Sequence, residues 1–232
     1  MNIPDILIAV DGCSSTGKST YAKLVASHLG FLYLDSGAMY RGVTLYAMEN
    51  GLIGKDGKID LPGLEKVIGS LDLHFRREGG ATALWMGERC IEKEIRTMAV
   101  SSYVSPVSAI PYVRNFVDDK LHAFAAGGRV IMDGRDIGTT VFPDAQLKIF
   151  MTADDQVRAR RRFDELREKG QNPSFEEVLA NLKERDYIDS HRETSPLTQP
   201  ADAFVLDNTD MTLHEELVWT LGLLQGRFGI LC

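Results

Sequence analysis

Short, uninterrupted apolar runs alternate along this chain with longer stretches whose apolar residues recur every three or four positions. Ile6–Val10 is a run of the first kind, the pattern of a strand buried on both faces of a parallel sheet, and it stops at Asp11-Gly12. A helical pattern follows through Tyr21, Leu24, Val25 and Leu29. Phe31–Leu34 predicts a second strand ending at Asp35-Ser36-Gly37, where Asp35 or Ser36 can cap a helix carrying Met39, Val43, Tyr46, Ala47 and Met48. Gly51 ends that helix, 52–63 reads as a loop, and Leu64, Val67, Ile68 and Leu71 suggest a short helix.

The period then changes. Leu73–Arg77 and Ala83–Met86 flank Glu78-Gly79-Gly80 and predict a β-hairpin, with Gly87-Glu88 a further turn. Helical spacing returns over 97–109 and 111–126, the second helix opening on Pro111 and stopped by Gly127-Gly128. Arg129–Met132 and Gln146–Met151 predict a third and a fourth buried strand. A helix over 154–169, a break at 170–173, a long charged helix over 175–191, a strand Phe204–Leu206 and a closing helix over 213–224 complete the chain. Leu213, Leu217, Leu221 and Leu224 form a stripe expected to pack in the core. The alternation implies an α/β fold, a parallel sheet flanked by helices, with a small antiparallel insert. Ligands of such sheets sit beyond the carboxyl ends of the strands, and Asp11-Gly12, Asp35-Ser36 and Asp133–Arg135 all follow predicted strands.

The first of these positions carries the strongest chemical signal. Gly12-x-x-x-x-Gly17-Lys18-Ser19, between a buried strand and a helix, can turn its amides toward a phosphate chain, with the helix dipole adding to the attraction. Gly12, Cys13, Ser14, Ser15, Thr16, Gly17, Lys18, Ser19 and Thr20 are therefore candidates to hold a nucleotide's phosphates. Lys18 would reach the β- and γ-phosphates and Ser19 would ligate Mg²⁺. The bland alternative is an ordinary glycine-containing turn. Ser36, Tyr40 and Arg41 lie at the start of a helix that can meet a second anion, or are simply a capped surface helix. Asp133 is a candidate on the metal side and Arg135 a second phosphate clamp, unless they form an internal pair in a polar turn. Asp11 suits either the metal's waters or turn duty.

Arg158, Arg160, Arg161 and Arg162 are the densest positive charge, and Arg185 and Arg192 follow beyond the break. Two arginine-bearing arms joined by a breakable turn read as a lid over about 158–175 that brings positive charge, through Arg158 and Arg162, to a transferring phosphoryl group. A helix laced by Glu165, Glu168, Glu176 and Glu184, or an RNA-binding patch, is the alternative.

Composition narrows the partners. The 232 residues are 44% hydrophobic and 25% charged, ordinary for a globular protein, and a net charge of −7 argues against a surface built wholly for nucleic acid. Three scattered cysteines, Cys13, Cys90 and Cys232, have no zinc-type spacing and suggest a reducing compartment. The first residues do not form a signal peptide, and no apolar run approaches the ~18 residues of a membrane span, so the expectation is a cytoplasmic protein with no membrane partner.

Assembled, GxxxxGKST, LDSGAMYR, EIRT, DGRDIGTTVFPDAQLKIF, RARRR, KERDYIDSHR, SPL and DAFVLDNT resemble the bacterial cytidylate kinases, nucleoside-monophosphate kinases of the phosphate-loop class, from end to end. The resemblance implies a P-loop kinase fold with an NMP-binding insert and an arginine-rich lid. It implies a single kinase domain, most simply a monomer, with a core at 1–40, 100–160 and 176–232 and an insert at about 41–99. It also implies ATP as donor, Mg²⁺ as metal, and CMP or dCMP as acceptor. By the same resemblance Arg41, Arg135 and Arg192 grip the acceptor phosphate with Ser14 nearby, Ser105, Arg114 and Asp136 read cytosine, and Arg185 and Asp189 contact the ribose. Cys13, Ser15, Thr16 and Ser19 depart from the commoner loop residues. The competing readings are a kinase for another acceptor such as shikimate, a GTP-driven switch, and an RNA-binding protein. The switch lacks an Asn-Lys-x-Asp guanine reader, and Asp60-Leu-Pro-Gly63 does not follow a buried strand.

Overall fold

The computed structural model describes residues 4–54, 56–78 and 81–229, so the Gly79-Gly80 turn lies outside the described residues. The chain runs β1 (Leu7–Gly12), α1 (Lys18–Leu29), β2 (Leu32–Asp35), α2 (Ser36–Glu49) and α3 (Leu61–Ile68). Next come β3 (Leu73–Glu78), β4 (Ala81–Met86), β5 (Arg89–Cys90), α4 (Met98–Ser108) and α5 (Pro111–Ala125). Finally come β6 (Val130–Gly134), β7 (Leu147–Thr152), α6 (Asp155–Glu168), α7 (Phe175–His191), β8 (Phe204–Asp207) and α8 (Leu213–Phe228). Asp35 caps α2 as expected, accepting from the Ala38 amide, and polar residues also open other helices: Asp60 accepts from Gly63, Asp154 from Gln156, and Thr212 with Glu215 forms a capping box.

The sheet order is β2-β6-β1-β7-β8, with β1 parallel to both β6 and β7, and β7 parallel to β8. Chain order reverses direction across the sheet at β1, which makes the end of β1 the switch point where such sheets bind ligands. Ile8, Val10, Tyr21, Val25, Ile131, Ile149, Met151, Leu206 and Leu224 form one buried cluster between α1, α8 and the strands. Of the expected α8 stripe, Leu224 is fully buried and Leu217 and Leu221 pack partly, but Leu213, the helix's first residue, is 44% exposed. The hairpin is real and gains β5 as a short third strand.

The chain forms two compact units. One comprises the described residues up to Tyr33, Gly128–His191 and those from Ser195 on; the other comprises Leu34–Gly127 and Arg192–Thr194. α4 and α5 fall in the second unit, where both pack against α2, and the Phe75 ring meets Phe124 of α5 edge-on at 5.3 Å between centroids. No sequence signal marks the π-type turn at Ile137–Val141 or the 3₁₀ turn at Glu94–Arg96.

Candidate active site

Gly12 pairs with Met151 on β7, and a Cβ there would sit 2.2 Å from the Met151 carbonyl oxygen. Glycine is thus demanded by the close approach of β7 as well as by the turn. Beyond it, Ser15 (φ 60°) and Gly17 (φ 94°) are left-handed while Ser14 and Thr16 are not. Alternation of this kind folds successive N–H groups around a common point, the geometry of an anion nest. Ser15 holds it without being glycine, at a cost of about 1–2 kcal/mol. α1 begins with no side-chain cap at Gly17, so its first amides face the same concavity.

Lys18 folds over the loop, donating to the Cys13 carbonyl at 2.5 Å and to Thr16 Oγ1 at 3.3 Å. Burial, then the charge of Arg135, pulls its ammonium down to about 7. Ser19 Oγ donates to Asp133 Oδ2 at 2.8 Å, and the Tyr33 hydroxyl donates to Asp133 Oδ1 at 2.8 Å. A hydroxyl beside a carboxylate suits Mg²⁺, which takes one or two protein oxygens and completes its shell with phosphates and water. Asp11 performs turn duty: its carboxylate accepts from the Ile137 and Gly138 amides at 2.8 and 2.7 Å, and burial raises it to about 6 despite those bonds.

Arg135 donates through Nε to Asp189 Oδ2 (2.8 Å) and through Nη2 to Ser14 Oγ (2.8 Å), so three of the expected residues meet at the loop. Arg158, 4% exposed, reaches the Ser14 carbonyl at 3.0 Å and ion-pairs with Asp155 and Asp186. Arg162 instead pairs with Glu165 on its own helix at 2.8 Å. The neighbouring Arg161 is the one that touches the loop, donating to the Thr16 carbonyl at 3.4 Å and to Asn208 Oδ1 at 3.1 Å. Asp136 is buried at the start of the π-type turn, and Arg185 lies half-buried on α7. The turn between α6 and α7 is stapled: Phe163 and Phe175 meet edge-on, with Arg160 4.8 Å from the Phe175 centroid.

The second unit gathers its own set. Arg41 and Arg96 both donate to Asp35 Oδ2, at 2.7 and 2.8 Å, while Asp35 Oδ1 caps α2 beside buried Ser36. Arg114, 2% exposed, donates to the Ser108 carbonyl at 3.1 Å and lies 5.4 Å from the Tyr40 ring centroid. Ser108 Oγ donates to the Ser105 carbonyl at 2.9 Å and accepts from Arg192 at 3.4 Å. Ser105, Arg114 and Arg192 therefore meet at Ser108, with Tyr40 beside Arg114. Sequence reasoning missed Tyr33, Arg96, Ser108, Asp186 and Asn208; the charged Arg96 and Asp186 stand within the quoted EIRT and KERDYIDSHR segments, but nothing in local pattern names their partners.

A strand, an anion nest, a following helix with its lysine, and a hydroxyl-carboxylate pair define an α/β phosphate-loop kinase. Residues 8–221 match the family described as cytidylate kinase. A cytidylate kinase of Bacteroides thetaiotaomicron is 51% identical over 97% of this chain and 96% of its own, and one of Flavobacterium psychrophilum is 47% identical over 94% and 97%. The chain belongs to the cytidylate kinase family. An uncharacterized protein from Eubacterium ventriosum shares the fold, with a TM-score of 0.51 at 13% identity over 97% of this chain and all of that one.

Proposed function

We propose that this enzyme transfers the γ-phosphoryl group of ATP to CMP, and to dCMP, giving ADP and the pyrimidine nucleoside diphosphate. The observation that carries this reading is the 51% identity, along nearly the full length of both chains, to a relative named cytidylate kinase. It is supported by the anion nest at Gly12–Thr20 and by the basic and polar residues around Ser108.

In this reading the loop amides and Lys18 hold the donor phosphates. Ser19 and Asp133 hold Mg²⁺, which when bound neutralises charge on them. Arg41, Arg135 and Arg192 take the acceptor phosphate, with Ser14, Ser36 and Tyr40 beside it. Ser105, Arg114 and Asp136 read cytosine, and Arg185 and Asp189 the ribose. Arg41, Arg135 and Arg158 each rest on a carboxylate, Asp35, Asp189 and Asp186, and a phosphate can compete for those donors. The acceptor phosphate is already an anion near neutral pH and needs no strong general base. Catalysis is then positioning plus charge neutralisation, to which Arg158 and Arg162 contribute. The protein acts as a cytoplasmic monomer with small-molecule partners.

A coupled assay with ATP against CMP, dCMP, UMP, AMP and shikimate tests the reading. CMP and dCMP should be the best acceptors, and preference for another acceptor would overturn it. Lys18→Ala should lose on the order of a hundredfold or more in kcat with the fold retained by circular dichroism. Asp136→Ala, in the same panel, should narrow the preference for CMP over UMP more than it raises the KM for ATP, because a reader that pairs only with cytosine discriminates by what it leaves unpaired. An unchanged ratio would remove Asp136 from the cytosine site.

A further inference from the structure

Ser14 is held at each of its polar atoms by the helices α6 and α7 or by the segment after β6. Its N–H donates to Asp186 Oδ1 at 3.1 Å, its carbonyl accepts from Arg158 Nη1 at 3.0 Å, and its hydroxyl oxygen accepts from Arg135 Nη2 at 2.8 Å. Two of these bonds close a ring, because the same Arg158 Nη1 also donates to Asp186 Oδ2 at 2.5 Å. One turn along α7, Asp189 holds Arg135 in the same manner, at 2.8 Å. Residues three apart share a helix face, so α7 presents two carboxylates to two guanidiniums that converge on one serine. Ser14 immediately precedes left-handed Ser15, where the nest begins.

We propose that Asp186 is a positioning residue for phosphoryl transfer: through the Ser14 amide and the Arg158 guanidinium it fixes where the phosphate loop starts and where α6 places its positive charge. The three-membered ring explains why one carboxylate does both. Without Asp186, Arg158 keeps its pair with Asp155, whose side chain is 50% exposed, and its contact to the Ser14 carbonyl loses the opposing bond that sets its direction. The Ser14 amide, in a residue 4% exposed, loses its acceptor. Both changes free groups beside the transferring phosphate to move, and a misplacement of about 1 Å costs on the order of a hundredfold in rate without removing a contact to substrate.

The inference rests on the kinase reading, and two readouts keep the tests apart. Asp186→Ala should lower kcat for ATP and CMP by roughly 10–100-fold, with the KM of each substrate changed by less than about threefold. Asp186→Asn keeps an acceptor for the Ser14 amide but not the charge facing Arg158, and should fall between wild type and the alanine variant. The Ser14 amide proton, observed by ¹⁵N-resolved NMR of the nucleotide-free protein, should move upfield in Asp186→Ala and return most of the way in Asp186→Asn. A lowered melting point with kcat unchanged would make Asp186 a structural residue only and overturn the proposal, as would a Ser14 amide unmoved in Asp186→Ala. If the alanine variant does not fold, kcat within twofold of wild type in both Asp186→Asn and Asp186→Glu overturns it. Wild type inactive on CMP would sink the kinase reading while leaving the amide test of Ser14 intact.

Discussion

Burial works against the charge on Asp35, and the guanidiniums of Arg41 and Arg96 overcome it, holding the carboxyl at about 2. Its folded value therefore lies below the ordinary carboxylate range, so the group stabilises the protein fully above about pH 4 and loses that contribution as pH falls through 2. The size is about 2 kcal/mol. Asp35→Asn should be less stable than wild type by at least this much at pH 6, and the gap should narrow to roughly half by pH 3. Urea unfolding of both proteins at pH 6, 4 and 3 measures it; a gap that stays constant to pH 3 would show that the ion pairs contribute nothing. From sequence alone Asp35 was a capping candidate, and it does cap α2, but one of its two guanidinium partners, Arg96, lies in a segment that local pattern cannot link to it.

At the scale of elements, the strands and helices were legible because burial imposes a period, and the nest because four spaced residues between a strand and a helix have few other uses. The bonds that brace the nest were not. Ser14 meets Asp186 at a separation of 172 residues and Thr16 meets Asn208 at 192, distances over which only the folded topology brings polar atoms together. Asn208, at the end of β8, donates through Nδ2 to the Thr16 carbonyl and to buried Glu216 of α8, both at 2.8 Å, and accepts from Arg161 at 3.1 Å. Burial raises Glu216, so this glutamate depends on the amide more than an exposed one would. The π-type turn was equally invisible, since its amides bond to Asp11 on another strand. Asn208→Ala takes from buried Glu216 its amide donor and leaves the Thr16 carbonyl only its contact from Arg161, which keeps the Asn208 main-chain carbonyl as well, and should cost about 1–3 kcal/mol, with a raised KM for ATP and a smaller change for CMP. Denaturant unfolding with steady-state kinetics checks both. Equal changes in the two KM values would break the link from β8 to the donor loop.

For the whole molecule, the arginine run on α6 poses the question of what its charge is for, in a chain whose net charge is −7. An RNA-binding reading needs those guanidiniums aligned toward solvent, because non-specific affinity comes from phosphates neutralised side by side. Among the described residues the run is instead divided. Arg158 pairs with Asp155 and Asp186, Arg160 lies over Phe163 and Phe175, Arg161 clamps Asn208, and Arg162 pairs with Glu165, which also takes Lys169. Two of the four thus turn toward the phosphate loop, one lies between the rings that join α6 to α7, and one pairs along its own helix, so the four do not line up along one face. The chain's overall charge of −7 repels a long polyanion, and screening by salt weakens that repulsion as well as any attraction. A fluorescent single-stranded RNA of about twenty nucleotides should therefore show no anisotropy change up to roughly 100 µM protein at 0.15 M salt, where non-specific binders reach half-saturation between about 1 and 100 µM. Saturable binding in that range, weakening steeply with added salt and competed by neither ATP nor CMP, would assign the arginine helix a partner that the divided guanidiniums do not predict.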